Sequence, residues 1–226
     1  MDKIFHRTAP IVALQYMPAS FRDFLICPEF TEKNVSDIAC YPDLLDHDNL
    51  RVCAEIHHAH SYKLDASGKW LDGDCLKTLE GLAAFALDAW KEYQKVNQWP
   101  LEWLTRYALA KLTHYRVDAM TYPHLHRGRP WSDHHGAFEA HMDAWLPSHV
   151  GDLGDFSFDP YAHVYKDCRK TALEAWRHGE EMVKRLEGGA KLTDDELMIA
   201  ACDCVQGVGD LWTTLALQMG LGGANQ

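Results

Sequence analysis

The 226-residue chain reads as an all-α protein, and three observations carry that expectation. Apolar residues between Cys75 and Trp99 recur at spacings of three and four, with Leu76, Leu79, Leu82, Ala83, Ala86, Leu87 and Trp90 on one helical face. The next stretch, Leu101 to about Met120, repeats the pattern with Trp103, Tyr107, Ala110, His114 and Asp118. Alternation of period two, the mark of a half-buried strand, is scarce throughout.

Taken in order, the elements begin with an N-terminal helix broken around Pro18. The helix from Cys75 runs to Trp99, where Pro100 both stops it and opens the next, since proline suits the first helical turn. A shorter helix starts near His135. Another extends from Ala162 to Leu186 and stops at Gly188-Gly189, and the last runs from Thr193, which has capping-box spacing to Glu196, towards Gly220. That makes six or seven helices. No linker-like tract, repeat or low-complexity segment divides them, so residues 1–226 are expected to form a single-domain multi-helix bundle.

Composition excludes several functions. A net charge of −11 opposes a general nucleic-acid grip, which normally shows as a basic stripe. The opening MDKIFHRTAP lacks the apolar run of a secretory signal, and no stretch approaches the roughly 18 apolar residues of a transmembrane segment, so a cytoplasmic protein is expected. Seven cysteines, an odd number with no CxxC pair, fit small core residues better than a disulfide framework.

The chemistry concentrates in HYRVDAMTYPHLHRGRPWSDHHGAFEAH, residues 114–141, which holds six histidines, two aspartates and one glutamate. His114 and Asp118 continue the inward stripe of their helix. A buried charge without a partner costs several kcal/mol, so these residues need compensation. Four residues apart, they lie one turn apart on the same face and can hold one cation together. His135 and Glu139 repeat the geometry on a second helix, and His124, after Pro123, can reach a second metal from the connecting loop. Imidazole with carboxylate and no thiolate suits catalytic zinc; iron and manganese accept the same ligands. A lone pair of this kind is common by chance, and His163 with Asp167 reads as an ordinary surface pair. His126, His134 and His141 have no paired carboxylate and read as rim or outer groups.

The order His114-x-x-x-Asp118, then His124, then His135-x-x-x-Glu139 resembles the metal-binding core of the zinc-dependent phospholipase C and single-strand-specific nuclease superfamily. That family is all-helical, with a trinuclear zinc site at the bottom of a cleft. Upstream, IACYPDLLDHDN resembles the segment that supplies an aspartate ligand, here Asp43, and AHSYKLDASGKW the one that supplies a histidine, here His60, with His57 and His58 as close neighbours. GVGDLWTTLAL resembles the closing helix. The resemblance implies that Asp43, His60, His114 and Asp118 hold one zinc and that His124, His135 and Glu139 hold a second. It implies a third on the N-terminal residue, on His6, and on the shared Asp118. The family's N-terminal residue is a tryptophan exposed by cleavage, whereas this chain starts with Met1, whose amine can ligate only if it is free.

The resemblance further implies phosphoester hydrolysis by a metal-activated water, with Asp43 orienting or deprotonating it. Arg127, Arg129 and Trp131, in the loop between the two ligand groups, are the candidate substrate contacts: the arginines for a phosphate, the tryptophan for a base or a choline-like head group. They read equally well as a core cap with surface ion pairs. Glu139 in place of aspartate, and the short loop before it, are nearer the phospholipase branch. The acidic composition and missing export signal point to a small soluble or head-group-like phosphoester. The competing readings are a single-strand nuclease or nucleotidase, a dinuclear-iron oxidative enzyme on the same scaffold, and a helical binding protein with a decayed site. The sequence leaves the oligomeric state open.

Overall fold

The computed structural model describes residues 4–44, 63–64, 69–121, 135–158, 173, 182, 184–186 and 188–222. Its elements are α1 (Ile4–Gln15), α2 (Ala19–Leu25), α3 (Glu32–Leu44), a ribbon of β1 (Lys63–Leu64) and β2 (Trp70–Asp72), α4 (Cys75–Val96), α5 (Trp99–Met120), α6 (His135–His149), a 3-10 turn (Val150–Asp152) and α7 (Asp194–Gln218). The all-α expectation holds, with one short antiparallel ribbon added.

Helix α5 lies at the centre, packed against α4, α3, α7 and α1. From Thr105 to Ala119 nearly every residue is buried, so it has no solvent face of any width, unlike the single stripe read from its sequence. Its partner α4 is amphipathic, burying Cys75, Leu79, Ala83, Ala86 and Ala89. The break between them falls earlier than Pro100. Asn97 adopts a left-handed conformation (φ 48°) and its amide donates to the Tyr93 carbonyl at 2.7 Å, which ends α4. Trp99 therefore belongs to α5, with Pro100 in its first turn. The two-residue connection Asn97-Gln98 makes α4 and α5 antiparallel neighbours.

Helix α3 is an element that the sequence reading passed over. It buries Val35, Ile38 and Ala39, and carries Pro42 inside it. Helix α7 starts where expected: the Glu196 amide donates to Thr193 Oγ1 at 3.3 Å, and the Thr193 amide donates to Glu196 Oε2 at 2.7 Å. The stop at Gly188-Gly189 is also present. Gly189 has φ 77°, and the Ala190 amide donates to the Arg185 carbonyl at 2.9 Å, so residues 184–186 end a helix in the left-handed manner glycine permits. Most of Ala162–Leu186, including His163 and Asp167, lies outside the described residues. The described cysteines are free thiols; Cys40, Cys75 and Cys204 are buried, and burial raises the Cys204 thiol well above its usual range. Among the described residues no helix is long and apolar enough to cross a membrane.

An ion-pair cluster joins α1 to α3: Arg7 and Lys33 both bind Asp37. Lys33 first, then Arg7, holds the Asp37 carboxyl below the usual carboxylate range. A depressed folded-state pKa gives stability that is present above the ordinary carboxyl pKa and lost as pH falls through the depressed value. Because the pair is partly exposed, Asp37→Asn is expected to cost only about 0.5–1 kcal/mol at pH 7. Denaturant titrations of both proteins should show that difference closing once the pH drops below the ordinary range; a gap independent of pH would mean that the charge contributes nothing.

Candidate metal centre

The central helix places His114 and Asp118 one turn apart, both with 0% exposure. His114 Nε2 lies 3.2 Å from Asp118 Oδ2. The other ring nitrogen, Nδ1, is 2.7 Å from the Ala39 carbonyl of α3. A carbonyl only accepts, so Nδ1 carries the hydrogen, and the Nε2 lone pair is directed at the carboxylate.

His6 reaches the same point from α1. It is 2% exposed, and its ring stacks on that of His114 at 4.3 Å between centroids, with 23° between planes. Its Nε2 lies 3.5 Å from Asp118 Oδ1. Asp118 thus turns one oxygen to each imidazole. Among the described residues, His6, His114 and Asp118 offer ligand atoms that all lie within 4.8 Å of one another. Pro10, four residues after His6, supplies no amide to the His6 carbonyl, so the helical ladder is relaxed at the turn that carries this histidine.

The donor chemistry fits a cation. Two imidazoles and a carboxylate converge in a buried site, a nitrogen and oxygen set of the kind that binds zinc in open, catalytic centres. A ring nitrogen that donates to a backbone carbonyl fixes the tautomer and aims the other nitrogen, an arrangement common behind metal-bound histidines. With the hydrogen on His114 Nδ1, Nε2 is left to offer its lone pair to a cation beside the Asp118 carboxylate.

Of the other candidates, Glu139 is 6% exposed on α6 and lies outside this close group. Asp43 lies on the last turn of α3 and His135 opens α6; of their side chains nothing is described. Met1, His60 with its neighbours His57 and His58, His124, Arg127, Arg129 and Trp131 lie outside the described residues, as do His126 and His134. One contributor escaped the sequence reading. The Ala39 carbonyl carries no side-chain signature at all.

By sequence, the chain matches no protein-family model and no curated protein. By structure, it is similar to the crystal structure of the Clostridium perfringens alpha-toxin from avian strain SWCP, with a TM-score of 0.55 and 16% identity, covering 97% of this chain and 62% of that chain. The likeness shows a shared fold. This chain spans a little under two thirds of the alpha-toxin structure's length.

Proposed function

We propose that the chain is a metal-dependent phosphoester hydrolase of the phospholipase C-like kind, holding two or three zinc ions. The observation that carries the reading is the buried His6–His114–Asp118 group, with His114 oriented by the Ala39 carbonyl. The fold shared with alpha-toxin and the ligand spacing of the sequence support it.

In this reading Asp43, His60, His114 and Asp118 hold one ion, His124, His135 and Glu139 a second, and His6, Asp118 and the Met1 amine a third. Bound divalent ions supply Lewis acidity, which neutralises phosphate charge and brings the pKa of water towards neutrality. The chain's own residues do the rest. Asp118 presents an oxygen to each of two sites, His114 is locked in one tautomer, and Asp43 orients the attacking water and takes its proton. Arg127 and Arg129 bind the phosphate of the substrate, and Trp131 contacts the group it carries. A small or head-group-like phosphoester suits the net charge of −11 better than a polynucleotide does.

Mass spectrometry of untagged protein purified without added metal is expected to find two or three zincs per chain. Chelation should abolish hydrolysis of a chromogenic phosphocholine ester, and zinc should restore it, with single-stranded DNA cleaved poorly or not at all. It should also lower Tm, because an ion that binds only the folded chain stabilises it by mass action, about 2.7 kcal/mol at a hundredfold excess over Kd. Metal-free protein, or hydrolysis that resists the chelator, sinks the reading; iron with oxygen consumption turns it to oxidative chemistry.

A further inference from the structure

We infer that Asp143 of α6 is a positioning residue that holds the start of α1 in place and thereby keeps His6 against Asp118. The inference rests on the metal-centre reading above. The first amides of a helix have no partner within it, and α1 has no acidic residue in its own first turn. The carboxylate comes from α6: the Phe5 amide donates to Asp143 Oδ1 at 3.2 Å, across 138 residues of sequence. A carboxylate there also complements the positive end of the α1 dipole. Next to this bond the buried Phe5 ring meets Phe138 edge-on, with centroids 6.2 Å apart. A polar tether and an apolar contact therefore fix the backbone of Phe5 to α6.

His6 is the following residue. Helix ends fray, so an imidazole in a first turn keeps its place only if that turn is anchored from outside. The position matters here because His6 stacks on His114 and its Nε2 faces Asp118 at 3.5 Å. Asp143 lies one turn beyond Glu139, and Phe138 directly precedes it. The helix that bears one candidate ligand thus also secures the helix that bears another, and the two ion sites share a mechanical support.

The test is a chelator competition titration of the zinc-loaded full chain, in the wild type and in His6→Ala, Asp143→Ala, Asp143→Asn and the His6→Ala/Asp143→Ala pair. His6→Ala should lose or weaken one ion. Asp143→Ala should weaken that same ion by roughly tenfold to a hundredfold, as loss of an outer support does, and leave the others unchanged. Asp143→Asn keeps an oxygen that accepts from the Phe5 amide and should return affinity close to the wild type. The paired variant should match His6→Ala alone, because Asp143 acts only through His6. A merely structural Asp143 would instead weaken every ion alike or add its effect to that of His6→Ala, and either result overturns the inference, as does unchanged affinity in Asp143→Ala. If the alanine variant does not fold, Asp143→Leu, which keeps the bulk without the acceptor, takes its place under the same criteria. Loss of an ion in His6→Ala with none in Asp143→Ala rejects the tether alone; no loss in His6→Ala rejects the metal centre and the tether with it.

Discussion

His114→Ala is expected to remove at least one zinc per chain and to cut phosphoester hydrolysis by at least about a hundredfold, the upper end of what losing even an outer metal partner costs. Its surroundings commit it to the centre. It is 0% exposed, its Nδ1 is tied to the Ala39 carbonyl at 2.7 Å, its Nε2 faces Asp118 at 3.2 Å, and its ring carries the stacked ring of His6. On the proposed reading, truncation removes a ligand and also the surface that fixes a second one, so the loss should exceed that of a single donor atom. His149→Ala is the matched control. That histidine stacks on Trp145 at 4.2 Å, and its Nδ1 bonds the Trp145 carbonyl at 2.8 Å, away from the centre. It should keep its full zinc content and rate. Metal analysis and circular dichroism of both variants decide the matter: a folded His114→Ala protein with wild-type zinc would falsify the assignment.

What could be read from the sequence was what is local. The capping box of α7 needs only Thr193 and Glu196, three residues apart, and it is present. The pairing of His114 with Asp118 needs only one turn of a helix whose apolar residues were already evident. Helix α3 was harder, because Val35, Ile38, Ala39 and Pro42 have helical spacing over just two turns, and a proline at the last of these places reads as a breaker. The approach of His6 to Asp118 spans 112 positions and leaves no local trace; only a family resemblance pointed to it. The Ala39 carbonyl was invisible for a different reason, since any residue at that place would offer the same oxygen. Contacts made by backbone, or between helices far apart in sequence, belong to the packing of the bundle, and that packing emerges only when the helices are placed.

The second large effect falls on that packing. Trp212 is among the largest fully buried side chains; its Nε1 donates to the Leu109 carbonyl at 2.8 Å, and its ring lies 5.7 Å from that of Phe21. One residue of α7 therefore braces the central helix and α2 together. Trp212→Ala should cost about 3–5 kcal/mol, from lost burial and the cavity left behind. For a chain of this size that lowers Tm by roughly 6–20 °C, at about 2–4 °C per kcal/mol. Trp212→Phe keeps most of the ring and forfeits the hydrogen bond, a loss of about 0.5–1.5 kcal/mol plus whatever the smaller ring leaves unfilled. Leu109 precedes His114 by five residues, so the brace grips α5 some 7.5 Å along the helix axis from the metal centre, at about 1.5 Å per residue. The scaffold and the site can be separated on that basis. Trp212→Phe should lower Tm by the same amount with and without zinc, while His114→Ala should shrink the zinc-dependent part of Tm by the share of the ion it loses. If Trp212→Phe also shrank that part, α5 would owe the placement of its ligands to α7, and the centre would have to be understood as a property of the whole bundle.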